Sequence, residues 1–153
     1  MKTYERRWQQ FIPISLDKAW DFFSSPFNLS KITPPDMRFV ITSPYGEDTK
    51  MYAGMIITYK VSPLFGIKMN WMTEITQVHD KQYFVDEQRF GPYALWHHQH
   101  HFKEVPGGVL MTDILNYAIP YGLAGTLANK ILVGKKLTAV FNYREKKIKE
   151  LFG

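Results

Sequence analysis

The sequence predicts an α+β fold in which a curved antiparallel sheet of seven strands wraps around a long C-terminal helix. Three observations support this fold class. A strand-like segment and two short helical segments open the chain, about eighty residues of alternating polar and apolar side chains follow, and the final segment has helical periodicity. The chain has 153 residues, so we expect a single domain over residues 1–153 with one core.

The chain is predicted to open with a strand and two short helices. Residues Thr3 to Ile14 are rich in aromatic and β-branched side chains, which are typical of a strand. Ser15 then offers an N-cap hydroxyl to a helix from Leu16 to Phe23, whose apolar residues fall on one face. A second short helix is predicted over Asn28 to Ile32, because a pair of prolines follows it closely and prevents its continuation.

Six more strands are predicted where polar and apolar residues alternate with period two. Turn residues such as glycine, proline and aspartate separate neighbouring strands, so the connections are hairpins and the sheet is expected to be antiparallel. The predicted strands are Arg38 to Thr42, Met55 to Val61, Lys68 to Val78, Gln82 to Phe90, Leu95 to Glu104 and Val109 to Ile119.

The segment from Tyr121 to Leu151 is predicted to form the long C-terminal helix. Mostly apolar residues recur there at intervals of three and four, which gives one stripe that faces the sheet. The stripe comprises Leu123, Leu127, Ile131, Thr138, Phe141, Ile148 and either Leu151 or Phe152. We interpret the basic residues of the segment as its solvated face: Lys135, Lys136, Arg144, Lys146, Lys147 and Lys149.

Composition narrows the functional classes. The formal net charge is +5, but much of the excess lies on that helix face, so we expect no nucleic-acid partner. The absence of cysteine excludes disulfides and thiolate metal sites. The N-terminus carries charge throughout, and the longest apolar stretch, Tyr117 to Gly134, is interrupted by Pro120 and Lys130. We therefore expect no secretory signal, no stable membrane insertion and a cytoplasmic protein.

The run LWHHQHHF, from Leu95 to Phe102, holds four of the five histidines. Side chains along a strand alternate between its two faces. One face of this strand therefore carries Trp96, His98, His100 and Phe102, and the other carries His97, Gln99 and His101.

Hairpin registers predict the neighbours of these histidines on the flanking strands. Between the fifth and sixth strands, the predicted register places Asp86 opposite His100 and Gln88 opposite His98. Between the sixth and seventh strands, a four-residue loop places Asp113 opposite His100. His100 is thus predicted to lie between two aspartates.

The face that carries His98 and His100 is predicted to be the inner face of the sheet, since its other residues are largely apolar. They are Phe84, Trp96, Phe102, Met111, Leu115, Tyr117 and, on the preceding strand, Trp71. Polar groups buried among them need one another as partners. The opposite face is expected to contact solvent, because it carries Glu87, Arg89, His97, Gln99, His101 and Lys103.

Four roles are compatible with the inner histidine pair. The pair fits a satisfied polar network that fixes strand register, and it equally fits polar groups that orient a small molecule among aromatic side chains. With nearby carboxylates it also offers zinc or iron ligands, but no third histidine faces inward, and we expect no metal and no cofactor. The fourth role is general-base catalysis by His100, tuned by Asp86 and Asp113.

Three stretches of the chain follow a known pattern. They are FFSSPFNLSKITPP (Phe22 to Pro35), FVDEQRFGPYALWHHQHHF (Phe84 to Phe102), and the series Asp113, Tyr117, Pro120 and Gly122 that leads into the helix. In this order they make the chain similar to the START/Bet v 1-like superfamily, the helix-grip fold also labelled SRPBCC. More narrowly, the chain resembles a bacterial branch of uncharacterised ligand-binding SRPBCC proteins, and the resemblance covers nearly its whole length.

The resemblance implies a hydrophobic cavity between sheet and helix, with superfamily ligands such as lipids, sterols, quinones, polyketides and plant hormones. We therefore expect binding or transport of a hydrophobic small molecule without required catalysis. The predicted pocket residues are Trp71, Phe84, Asp86, Gln88, Trp96, His98, His100, Phe102, Asp113, Leu115, Tyr117, Leu127 and Ile131.

The alternative function is that of a polyketide cyclase/dehydratase-like enzyme that uses His100 with Asp86 or Asp113 as acid and base. A third class is a protein-interaction module that uses the basic end of the terminal helix.

Overall fold

The computed structural model describes residues 1–153, which form seven strands, three α-helices and short helical turns. The strands are β1 (Thr3–Ile12), β2 (Val40–Ile41), β3 (Met55–Val61), β4 (Met69–His79), β5 (Tyr83–Phe90), β6 (Leu95–Val105) and β7 (Gly108–Ala118). The helices are α1 (Leu16–Phe23), α2 (Gly122–Ala128) and α3 (Gly134–Phe152). Two 3₁₀ helices, Pro26–Ile32 and Pro35–Met37, follow α1, and a π-helical turn, Asn129–Val133, joins α2 to α3.

All seven strands belong to one antiparallel sheet, in the order β1-β7-β6-β5-β4-β3-β2. The inner face of the sheet packs against α1 and the C-terminal helix, which runs through α2, the π turn and α3. The predicted α+β class is confirmed, with its seven-stranded sheet, its long C-terminal helix and its short helices after the first strand. No helix has both the length and the apolar character that crossing a bilayer requires.

Local signals set the elements before the third strand. Ser15 caps α1, since its Oγ accepts a hydrogen bond from the backbone N–H of Lys18 at 3.3 Å. The second short helix is a 3₁₀ helix that begins earlier than predicted, at Pro26, where proline presets a helical φ. The predicted strand Arg38 to Thr42 shrinks to Val40–Ile41, because Arg38 has a left-handed backbone with φ 48°.

The register between β6 and β7 is the predicted one, with His100 opposite Asp113 and His98 opposite Leu115. Both strands run without a bulge from the tight turn at Val105 and Gly108, so the loop length alone sets the pairing.

The predicted register between β5 and β6 is wrong by two residues, since Asp86 lies opposite His98 and not opposite His100. The reason lies in the hairpin loop. The side chain of Gln88 donates to the carbonyl of Tyr93 at 2.7 Å and accepts from the N–H of Tyr93 at 3.0 Å, so strand pairing ends at Glu87–His97 and these side-chain hydrogen bonds hold the rest of the hairpin. A shift of two residues leaves each side chain on its face, so the inner-face assignment is unaffected.

The C-terminal helix contains a π turn and is not the continuous α-helix that was predicted. At this turn the N–H of Gly134 donates to the carbonyl of Asn129, five residues earlier. The hydroxyl of Tyr117, on β7, donates to Oδ1 of Asn129 at 2.8 Å in a buried contact. This hydrogen bond attaches the π turn to the sheet.

The π turn determines which helix residues face the sheet. The buried residues are Gly125, Asn129, Val133, Leu137, Phe141, Arg144 and Ile148. From Gly125 to Phe141 they recur every four residues over four turns, whereas four α-helical turns take only about 14.4 residues. Because the wider π turn absorbs the extra residues, these side chains stay on one face.

The predicted helix stripe is therefore correct at Phe141 and Ile148 and wrong in its first half. Leu123, Leu127 and Ile131 are 90%, 58% and 51% exposed. They lie between the positions that the π turn brings to the sheet, so they form an apolar strip on the outside of the helix.

Two aromatic contacts attach the helices to the sheet. On the α1 side, Trp20 meets Phe84 and Phe102 edge to face, with ring centroids 6.1 and 5.5 Å apart. On the α3 side, Trp8 stacks on Phe141 with a centroid distance of 3.6 Å. The inner faces of β3 and β4 take no part in these contacts and line the interior space.

We expect Gly125→Ala to destabilise the protein by about 2 kcal/mol, because a β-carbon at this buried position overlaps the carbonyl oxygen of Pro120. Gly46→Ala is the matched control, since nothing lies within 4 Å of its added carbon. Urea denaturation of both variants measures the difference. Equal stabilities would show that α2 does not pack against Pro120 as described.

Candidate functional site

A cavity of about 170 Å³ lies between the inner face of the sheet and α3. Strands β3 to β6 supply one wall and α3 supplies another, while the 3₁₀ helix Pro26–Ile32 and the residues up to Ile41 close a third side. Most lining side chains are apolar or aromatic. The arrangement is a small-molecule pocket in form, with a few polar groups in an apolar enclosure.

Five of the predicted pocket residues line this cavity, namely Trp71, Asp86, Trp96, His98 and His100. The rings of Trp71 and Trp96 meet edge to face, with centroids 5.3 Å apart. Tyr59 stacks on Trp71 at 5.9 Å. Tyr59, Trp71 and Trp96 are called the aromatic wall below.

The polar atoms of the aromatic wall are satisfied within the protein. Trp71 Nε1 donates to Thr73 Oγ1 at 3.1 Å, and the Tyr59 hydroxyl hydrogen-bonds the same oxygen at 2.9 Å. Trp96 Nε1 donates to Asp86 Oδ1 at 3.2 Å. Burial raises the pKa of the Tyr59 phenol, so this group remains a neutral donor.

Other predicted pocket residues are inward-facing but do not line the cavity. Phe84 and Phe102 pack in the core beneath α1, although Phe84 also borders an adjoining void of about 50 Å³. Leu115 and Tyr117 are buried beneath α3. Asp113 is buried behind the two histidines and supports them from there.

Three predicted residues are placed away from the cavity. Gln88 is occupied by its two hydrogen bonds to the backbone of Tyr93 in the β5–β6 loop. Leu127 and Ile131 are on the exposed strip of the C-terminal helix, because of the π turn, and their predicted inward orientation is wrong.

The sequence interpretation misses Arg144, which it assigns to the solvated helix face. Arg144 is 8% exposed and lines both the cavity and the adjoining void. The sequence does contain a signal for the inward orientation of Arg144. Arg144 follows Phe141 by three residues and precedes Ile148 by four, and both belong to the predicted stripe. Tyr59 and Thr73 were missed as well, although Thr73 shares a strand face with Trp71.

Asp86, His98, His100, Asp113 and Arg144 form a buried polar cluster beside the cavity. His98 Nε2 lies 2.9 Å from Asp113 Oδ1, and His100 Nε2 lies 2.6 Å from Asp86 Oδ2. Three adjacent strands and α3 thus each contribute to one network. Such a network is stable only if its charges compensate one another.

The second nitrogen of each imidazole is less well bonded. His100 Nδ1 lies 3.0 Å from Asp113 Oδ1, which is within ion-pair distance, but its orientation leaves it without a hydrogen bond. His98 Nδ1 is 3.6 Å from Asp86 Oδ2. The two ring centroids are 3.8 Å apart. Positive charge on both rings at once is therefore strongly disfavoured.

The pKa shifts follow from burial and from these neighbours. Burial lowers the pKa of His100, but the carboxylates of Asp113 and Asp86 outweigh burial and raise the pKa above its ordinary value. For His98, burial and the charge on His100 together lower the pKa despite the nearby carboxylates. His100 is therefore the member of the pair that binds a proton more readily.

The two carboxylates remain ionised. Burial raises the pKa of Asp113, but the Arg144 guanidinium and the two nearby imidazoles hold that pKa well below its usual range. For Asp86, the hydrogen bond from His100 and the charges of both histidines overcome burial and lower the pKa. Two negative charges are thus balanced by one imidazolium and one guanidinium.

The cluster also contains ligand types that bind metals. One donor atom from each of Asp86, His98 and His100 lies within 4.8 Å of the others, and Asp113 would orient both imidazoles from behind. However, His100 Nε2 and Asp86 Oδ2 are only 2.6 Å apart and share a hydrogen bond, so an ion would first have to separate them. The expectation of no metal stays a prediction.

No family model and no curated protein matches the sequence, but solved structures match it along nearly its whole length. Protein Ms6760 from Mycobacterium smegmatis is 17% identical with a TM-score of 0.66, over 96% of this chain and 92% of that chain. Protein CV1439 from Chromobacterium violaceum is 13% identical with a TM-score of 0.70, over 97% and 96%.

The same architecture occurs in plant proteins. Ginseng major latex-like protein 151 from Panax ginseng is 13% identical with a TM-score of 0.69, over 98% of this chain and 97% of that chain. The chain has the Bet v 1-like helix-grip fold. In this helix-grip fold, α3 carries Arg144 to the cavity, while β5, β6 and β7 carry the rest of the polar cluster.

We expect Asp113→Asn to destabilise the protein by about 3–5 kcal/mol, since it removes the negative charge that compensates buried Arg144 and stabilises the protonated imidazole. Asp17→Asn is the matched control, because the Asp17–Lys81 ion pair is solvent-exposed and contributes little. Denaturant titration at pH 7 compares the two variants. If Asp113→Asn lowers the free energy of unfolding as little as the control does, the described charge balance is contradicted.

NMR titration is expected to separate the inner histidines, with His100 above and His98 below the ordinary value of 6.5. Because the folded state stabilises protonated His100, its contribution to stability is complete below about pH 6.5 and is lost as pH rises through its folded pKa. His98 acts in the opposite sense, since the folded state resists its protonation and loses stability as pH falls below about 6.5. The reverse order of the two pKa values would refute the assigned protonation states.

Proposed function

We propose that this protein binds or transports a hydrophobic small molecule in the cavity between the sheet and α3, with no catalysis required. The observation that carries the proposal is an apolar cavity of about 170 Å³ that combines the aromatic wall with the polar cluster. The Bet v 1-like fold, which accommodates small hydrophobic ligands, supports it as well. Trp71 and Trp96 would supply apolar contact area, and the polar cluster would orient one polar end of the ligand.

The size of the cavity sets the size of the ligand. An engineered cavity of about 150 Å³ is large enough to bind benzene. The cavity here measures about 170 Å³, and the adjoining void of about 50 Å³ shares Leu29, Met51 and Arg144 with it. These volumes suit one or two fused rings, or a section of an acyl chain, as found in quinones, polyketides and lipids.

A second candidate is a polyketide cyclase/dehydratase-like enzyme with His100 as the proton carrier. The observation in its favour is the raised pKa of His100 between two carboxylates. Against it, both ring nitrogens of His100 lie within 3.0 Å of those carboxylates, so neither is directed to a substrate. Binding without turnover is the simpler use of this arrangement.

Filling the cavity tests the proposal. We expect wild-type protein to bind naphthalene with a dissociation constant on the order of 100 μM or lower, by the affinity typical of a ten-atom ligand. Val140→Trp places a large ring in the cavity, since Val140 lines it from α3, and should reduce the affinity at least tenfold. Fluorescence of Trp71 and Trp96 and isothermal titration calorimetry measure binding.

Leu127→Trp is the matched control on the exposed strip of the same helix and should bind naphthalene like wild type. If Val140→Trp does not fold, Met37→Trp fills the cavity from its other side. Binding that survives in the filled variants, or is absent in wild type, refutes the proposed site. Conversion of an added polyketide that is lost in His100→Ala would favour the enzyme.

A further inference from the structure

Arg144 is a buried cation whose guanidinium makes no hydrogen bond. The closest acceptor is Asp113 Oδ1, 3.6 Å from Nη2, which is an ion-pair distance and too long for a hydrogen bond. The Nε atom is fully buried without a partner. A guanidinium carries five N–H donors, and such groups are nearly always bonded when they are buried.

No acceptor of the cluster makes a hydrogen bond to this group, and three of the four carboxylate oxygens already accept from other donors. Asp86 Oδ1 accepts from Trp96, and Asp86 Oδ2 accepts from His100. Asp113 Oδ1 already receives His98 Nε2 at 2.9 Å. In the aromatic wall, the Tyr59 hydroxyl and Trp71 Nε1 both hydrogen-bond Thr73 Oγ1.

Aromatic rings compensate the guanidinium only weakly. Its Cζ lies 5.8 Å from the ring centroids of both Phe23 and Phe141, near the outer limit of a cation–π contact. Arg144 therefore lines the cavity as a cation whose hydrogen-bonding capacity is unused.

We propose that the ligand carries a neutral acceptor oxygen, a carbonyl on an apolar ring or chain, which hydrogen-bonds the Arg144 guanidinium. This inference rests on the proposed function and names the ligand class for the same cavity. The carbonyl supplies an acceptor within the cavity for donors that no protein group bonds, and the apolar body lies against the aromatic wall. A plain hydrocarbon leaves the buried donors unpaired, which is costly.

The charges around the cavity favour a neutral acceptor over a carboxylate. With imidazole centroids 3.8 Å apart, at most one histidine of the pair is protonated. Asp86 and Asp113 then balance or exceed the positive charge of that histidine and Arg144. Lys136 also lines the cavity, but its Nζ is paired with Asp36 Oδ2 at 2.7 Å. No uncompensated positive charge is left for an anion.

Three probes of one shape distinguish these cases: 2-acetylnaphthalene, 2-ethylnaphthalene and 2-naphthoate. Their affinities are measured by calorimetry at pH 7.5 for wild type, Arg144→Met and the control Lys146→Met on the exposed face of α3. We expect the affinity ratio of ketone to hydrocarbon to fall about tenfold in Arg144→Met and to stay unchanged in Lys146→Met. In wild type, 2-naphthoate is expected to bind more weakly than the ketone.

The infrared carbonyl stretch of bound 2-acetylnaphthalene gives a second readout that needs no variant. Hydrogen bonding to a guanidinium lowers this frequency relative to the ketone in hexane. In Arg144→Met the frequency should return towards its value in hexane. Three results would each overturn the inference: an unshifted stretch in wild type, an unchanged affinity ratio in Arg144→Met, or tighter binding of 2-naphthoate than of the ketone. If the hydrocarbon still binds in these cases, the proposed function remains intact. If none of the three probes binds, the proposed function fails and the inference fails with it.

Discussion

Two largely buried carboxylates between the sheet and α3 set the constraint on which the rest of the structure depends. Asp86 and Asp113 remain ionised only because His100 and Arg144 bring compensating positive charge to within a few ångströms. Those four groups come from β5, β6, β7 and α3, so the charge balance requires the correct register of three strands and the correct rotation of one helix. The π turn, attached to β7 by the Tyr117–Asn129 hydrogen bond, provides that rotation.

The same constraint gives the cavity two chemically different parts. The aromatic wall satisfies its own polar atoms through Thr73 and Asp86 and offers a ligand mainly apolar contact area. The polar cluster uses its acceptors internally and leaves donors of Arg144 free. In the proposed function, a ligand would gain affinity from an apolar body and be oriented by one acceptor oxygen, which is the usual division of affinity and orientation in small-molecule sites.

The sequence predicted correctly those features that depend only on strand alternation and loop length. The inner-face assignment of His98 and His100 follows from strand alternation, and the β6–β7 register follows from loop length. It failed at the β5–β6 register, because hydrogen bonds of the Gln88 side chain to Tyr93 replace strand pairing at this hairpin end and no turn signal indicates them. Leu127 and Ile131 were misplaced because an α-helical period was applied through a π turn.

The sequence by itself determined the α+β class, the strand faces and the presence of two histidines and two aspartates on the inner face. These are properties of period and turn chemistry, and they need only neighbouring residues. Only the tertiary structure decided that Arg144 is buried, that it faces Asp113, and that the space beside it stays open. The physical reason is that charge burial is stabilised by partners distant in the chain, and helix rotation is set by packing against β7 rather than by helix periodicity.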